Sequence, residues 1–182
     1  MGNKLLLLVI LALAIPVVAH DHDTDQVTFT DTGGVLKGSS KGLSINASTL
    51  TAVIGPDKHA VTGANLGSFS LSTGKLTSGM LGTGAKFAGG GSLCIAANGK
   101  GDLRAGTLFQ GSFTAPLSWS LTTLSNGTHQ YTLAGTASGR YLGFAVKNVS
   151  VQLILNTGRG FYDGAATVYS GSTIATGQLD SD

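Results

Sequence analysis

From Gln26 onward the chain alternates apolar and polar residues in short runs separated by glycine-rich turns. Val27-Thr28-Phe29-Thr30, Leu43-Ser44-Ile45-Asn46 and Val149-Ser150-Val151-Gln152-Leu153 all follow this pattern. A period of two places the apolar members on one face of a strand, as a half-buried antiparallel sheet requires. The runs recur about every 8–12 residues, which predicts an antiparallel β-sandwich of roughly ten to twelve strands, with a closed soluble β-barrel as the alternative. No fixed-period repeat points to a solenoid or a propeller.

One hairpin can be read to its register. Leu117, Trp119 and Leu121 share a face of one strand, and Tyr131 and Leu133 share a face of the next, with Asn126-Gly127 between them. A two-residue loop would pair Trp119 with Ala134 and turn the tyrosine away from the tryptophan. A three-residue loop, Ser125-Asn126-Gly127, pairs Trp119 with Leu133 and Leu121 with Tyr131. Burial of one face selects the second register, with Gly127 left-handed in a bulge and Trp119 in the core. A second hairpin is expected from Val149–Leu155 through Asn156-Thr157-Gly158-Arg159-Gly160 to Phe161. Ile154 lies on its opposite face, which suits a strand covered on both sides.

Composition supports this reading and narrows it. Gly accounts for 28 of 182 residues, only 11% are charged, and there is no Glu. A helical bundle needs the Glu, Lys and Ala that favour helices rather than the Gly, Ser and Thr that prevail here. Interleaved Val, Leu, Ile and Phe argue against disorder. Lys and Arg are scattered singly, so no basic stripe suggests a nucleic-acid partner. The single cysteine, Cys94, lies in the apolar run Leu93-Cys94-Ile95 and reads as a small buried core residue.

The first residues read as a targeting segment. Lys4 supplies a positive end, Leu5 to Ile15 is unbroken apolar sequence, and Val17-Val18-Ala19 offers a cleavage site after Pro16. The apolar stretch is shorter than the ~20 residues of a membrane-spanning helix. The expected organisation is a signal peptide at 1–19, a polar tail at 20–25 and a single all-β domain at 26–182. The mature product is expected to be secreted, extracellular or periplasmic, without a membrane span.

Candidate chemistry is sparse. Cleavage after Ala19 would leave His20-Asp21-His22 at the N-terminus. The free amine, two backbone amides and the His22 imidazole could then hold Cu(II) or Ni(II) in a square plane, with His20 axial. The same tail reads Asp21-x-Asp23-x-Asp25, but Gln26 and Thr32 stand where a calcium loop needs Gly and Glu. Gly38-Ser39-Ser40-Lys41-Gly42 fits a nucleophile-elbow pattern, yet a strand follows where that motif needs a helix, so a hairpin turn is expected. General acid–base work would fall to Asp31, Asp57, Asp102, Asp163, His59 or His129, and a Glu–Glu glycosidase pair is impossible. No catalytic residue is assigned.

The runs Val27-Thr-Phe-Thr-Asp-Thr-Gly-Gly34, Leu76-Thr-Ser-Gly79, Gly111-Ser-Phe-Thr-Ala-Pro-Leu-Ser-Trp119 and Asn156-Thr-Gly-Arg-Gly-Phe161 resemble segments of a loose bacterial group. Its members are secreted Gly/Ser/Thr-rich β proteins, many carrying a PEP-CTERM sorting tail. This chain has no Pro-Glu-Pro, terminal apolar helix or closing basic cluster, so a soluble product is expected. The group supplies no functional residues. The expected function is that of a non-catalytic extracellular matrix, surface or interaction protein, with extracellular polysaccharide or other surface proteins as partners. A carbohydrate-binding module is the alternative, for which Tyr141, Tyr162 and Tyr169 would have to form an exposed row.

Overall fold

The structure, a computed structural model, describes residues 26–176; the expected signal peptide and polar tail at 1–25 lie outside it, as do residues 177–182. Within it the chain forms twelve strands and no helix. They are β1 (Gln26–Thr32), β2 (Val35–Ser39), β3 (Gly42–Ile54), β4 (Ala60–Ser72), β5 (Leu76–Met80) and β6 (Gly84–Phe87), followed by β7 (Gly90–Ala97), β8 (Gly106–Phe113), β9 (Leu117–Thr123), β10 (His129–Tyr141), β11 (Phe144–Asn156) and β12 (Ala165–Thr176). Period-two burial drives them. Along β11, Val149, Val151, Leu153 and Leu155 are buried while Ser150 and Gln152 face out.

All ladders are antiparallel and join into one sheet, because long strands change partner along their length. β12 pairs with β2 over Ala165–Thr167 and with β1 over its later residues. β3 makes the same exchange, meeting β2 over Gly42–Ile45 and β1 over Thr49–Ile54. β10 holds β11 along one edge, and β9 then β8 along the other. The pairings run from β3 through β4, β7, β8, β10, β11 and β12, and return to β3 by way of both β1 and β2. A branch through β9 and β6 leaves at β10 and ends at the edge strand β5, which keeps that edge of the sheet open. The fold is antiparallel all-β with the expected number of strands, in one sheet folded over a single core. Trp119, Tyr131, Phe29, Phe69, Phe87 and Phe109 are its largest fully buried side chains.

The β9–β10 hairpin has the three-residue register, with Trp119 opposite Leu133 and Leu121 opposite Tyr131. Gly127 is left-handed at φ +77°, and its N–H donates to the Leu124 carbonyl at 2.9 Å. The Gly38–Gly42 segment is a hairpin turn, with Ser39 paired to Gly42 and the Ser39 hydroxyl accepting from the Lys41 N–H.

Two expectations need correction. The β11–β12 connection is longer than the sequence suggested: β11 ends at Asn156, and strand pairing resumes with Leu155 opposite Val168. Phe161 lies in the intervening loop, which dips so that Tyr162 can enter the core. Cys94 is not a core residue. Leu93 and Ile95 take the inward positions, which turns Cys94 to the other face, half-buried between Ser70 and Gln110 on adjacent strands.

Candidate functional site

Period-two alternation in β1 sends Val27, Phe29 and Asp31 inward, so the third apolar position is occupied by a carboxylic acid. Asp31 is 1% exposed. The Ser48 hydroxyl on β3 approaches Asp31 Oδ2 at 2.6 Å and the Thr32 carbonyl at 3.1 Å. On the other side Asp31 is paired with Gly171 of β12. A Cβ at Gly171 would overlap Asp31 Oδ1 and crowd the Leu153 side chain, so the carboxyl occupies space that only glycine leaves open. Burial pushes the Asp31 pKa up from 3.8 to about 6, against the opposing pull of the Ser48 and backbone hydrogen bonds.

A second cluster closes the other half of the core. Trp119 stacks on Tyr131 with centroids 5.1 Å apart, and Tyr162 meets both rings at an angle. Every polar end of the trio is used. Trp119 Nε1 donates to the Leu81 carbonyl at 2.8 Å and the Tyr131 hydroxyl to the Gly82 carbonyl at 2.6 Å. The Tyr162 hydroxyl donates to the Leu36 carbonyl at 2.9 Å, and its N–H donates to the Tyr131 oxygen. These bonds tie the β5–β6 turn and the β11–β12 loop to the body of the sheet.

Of the three tyrosines that a carbohydrate-binding module would need in an exposed row, Tyr162 is buried and Tyr141 half-buried. Tyr162 is 3% exposed, and burial, with Asp163 nearby, raises its pKa. A ring surrounded by aromatics and hydrogen-bonded to backbone gains more from packing than from facing water. Tyr141 is half-buried and meets Phe29 edge-on at 6.0 Å; its pKa is raised by burial and then by Asp57. Tyr169 lies on β12, with its side chain outside the described ones. Among the described residues the large aromatics that do face solvent are Phe144, 57% exposed, and Phe161, 59% exposed and stacked on His129 at 4.4 Å. In Gly160-Phe161-Tyr162 nothing in the local pattern says which of two adjacent rings turns inward.

His59 and Asp102 approach to 3.9 Å, both well exposed, a separation at which imidazole and carboxylate do not share a hydrogen bond. His20, Asp21 and His22 lie outside the described residues. Among the described residues no three His, Cys or Asp side chains gather as metal ligands.

Over residues 118–120, 132–136 and 150–154 the outward positions of β9, β10 and β11 are uncharged and mostly polar, with Ala134 and Ile154 the apolar ones; the exposed Arg140 and Lys147 lie further along β10 and β11. Ser120 lies opposite Thr132, Ser118 opposite Ala134, Ala134 opposite Gln152, and Thr136 opposite Ser150. Ser118, Ser120, Ser150 and Gln152 are exposed, and Thr132, Ala134 and Thr136 are half-exposed. Comparison with protein-family models, curated proteins and solved structures finds no match.

Proposed function

We propose that the protein is a secreted, non-catalytic extracellular protein that adheres to a neutral matrix polysaccharide through the outer face of β9, β10 and β11. The observation that supports this reading is the run of uncharged hydroxyl and amide side chains across three adjacent strands. Hydroxyls both donate and accept, so they can exchange water for sugar hydroxyls without stranding a charge. Individual contacts of this kind are weak. A long polymer lying across several strands engages many at once, and an apparent affinity follows from their number.

The test is retention on insoluble cellulose and on insoluble β-1,3-glucan. Wild-type protein is compared with the double variant Thr132→Lys/Ser150→Lys. Both side chains point away from the core, so the variant should keep its stability within about 0.5 kcal/mol. Wild-type retention on at least one glucan, reduced ~10-fold or more in the variant by the cost of desolvating two ammonium groups, is the expected result. Equal retention of the two proteins, or none of the wild type, contradicts the proposal.

A further inference from the structure

We propose that the Asp31 carboxyl is a pH-operated latch, tying β1 to β3 and β12 when protonated and letting the crossing from β1 to β2 open when ionised. The inference is independent of the polysaccharide reading and comes from the hydrogen-bond geometry of Ser48. The Ser48 oxygen lies within bonding distance of both Asp31 Oδ2, at 2.6 Å, and the Thr32 carbonyl, at 3.1 Å. A serine hydroxyl has one proton and cannot donate fully to two acceptors at once. A protonated Asp31 resolves this: the acid donates to Ser48 Oγ, and Ser48 donates onward to Thr32, closing a chain of two good hydrogen bonds. Once Asp31 loses its proton, Ser48 must turn to the carboxylate, and its bond to the β1 backbone is given up.

Apart from Ser48 and the Asp31 backbone N–H, no described group steadies the ionised carboxyl. β3 and β12 contain no charged residue, and Asp31 is the only one on β1. Of the remaining strands at the crossing, β2 carries Lys37 and β11 carries Lys147, and both side chains are exposed. Gly171 and Leu153 fill the side away from Ser48. The ionised carboxyl therefore gains its solvation only by leaving.

The surrounding ladders are already irregular at this level. The β1–β3 register shifts between Thr30 and Asp31, β3–β4 between Ile45 and Ser48, and β11–β12 between Ile154 and Leu155. Directly after β1 the chain passes through Gly33 and Gly34, both left-handed. Opening here disrupts fewer regular ladder bonds than it would in mid-strand, so this segment is the natural place for a local transition. The rise of the Asp31 pKa from 3.8 to about 6 fits a carboxyl kept neutral by its site.

The experiment is amide hydrogen exchange of β1 and β12 in small steps from pH 4 to pH 7 and beyond, corrected for intrinsic exchange rates, with no polymer present. It is made on the wild type, Asp31→Asn and Ser48→Ala. A shift of this size makes the opening equilibrium of the wild type rise about 60-fold between pH 4 and pH 7. Asp31→Asn keeps the shape without the titration and should show less than about a 3-fold change. Ser48 bonds both forms, but the charge-assisted bond it gives the carboxylate outweighs the relay to Thr32 that it gives the neutral acid, so Ser48→Ala should move the transition to higher pH. This shift is not expected of a purely structural contact. Wild-type protection that is the same at pH 4 and pH 7 overturns the latch. So does an Asp31→Asn variant that follows the wild-type profile, or a Ser48→Ala transition that stays in place. Should Asp31→Asn fail to fold, the wild-type and Ser48→Ala profiles decide the matter.

Discussion

At Gly171 an absent side chain matters as much as any present one. Its missing Cβ makes room for the Asp31 carboxyl on one side and Leu153 on the other. Gly171→Ala should therefore destabilise the fold, by about 2–3 kcal/mol, because the neighbours cannot yield without displacing a buried polar group. Chemical denaturation at pH 5 would read this as a lower midpoint with an unchanged slope. Asp31 itself has the sign opposite to the ion-paired or strongly hydrogen-bonded carboxylates whose pKa folding depresses. Its folded pKa lies above its unfolded value, so the folded state binds the proton more tightly. The stability associated with that proton is complete below pH 4 and is lost as pH rises to about 6, a difference of about 3 kcal/mol. Residue-scale reading of the sequence placed Asp31 among possible acids and bases but did not see its burial. The signal was there in the series Val27, Phe29, Asp31, where alternation continues through a charged residue.

At the scale of elements, the hairpins show where sequence pattern suffices and where it stops. The β9–β10 register was legible because two opposed apolar faces allow only one loop length to bury both. The β11–β12 loop was not, because its path is set by where Tyr162 lands, and that depends on Trp119, Tyr131 and Leu36 from distant parts of the chain. Cys94 was misplaced for a simpler reason: a three-residue apolar run has one member on the outer face whatever its chemistry. The Tyr162 contact is testable by itself. Tyr162→Phe keeps the ring in the aromatic cluster but leaves the Leu36 carbonyl without its donor. It should cost about 1–2 kcal/mol in thermal or chemical unfolding. A variant as stable as the wild type would mean that the loop is not anchored through this hydroxyl.

For the whole molecule, the sequence pattern anticipated an all-β antiparallel fold but not how the strands are shared. Partner exchange along β3, β10 and β12 depends on bulges and on chain crossings that have no local signature. The result is one folded-over sheet whose interior holds the aromatics and whose exterior on β9, β10 and β11 carries hydroxyls. Taken with the N-terminal segment, this exterior is the basis of the proposal that the protein works outside the cell on a neutral polymer. The most direct test is to separate a culture of the source cells into cell-bound, free-medium and polymer-bound extracellular fractions and to measure the intact mass of the protein in each. The account predicts a chain beginning at His20, concentrated in the polymer-bound fraction and released by enzymatic digestion of the polymer. A chain retaining Met1 in the cell-bound fraction, or a mature chain found wholly free in the medium, would contradict it.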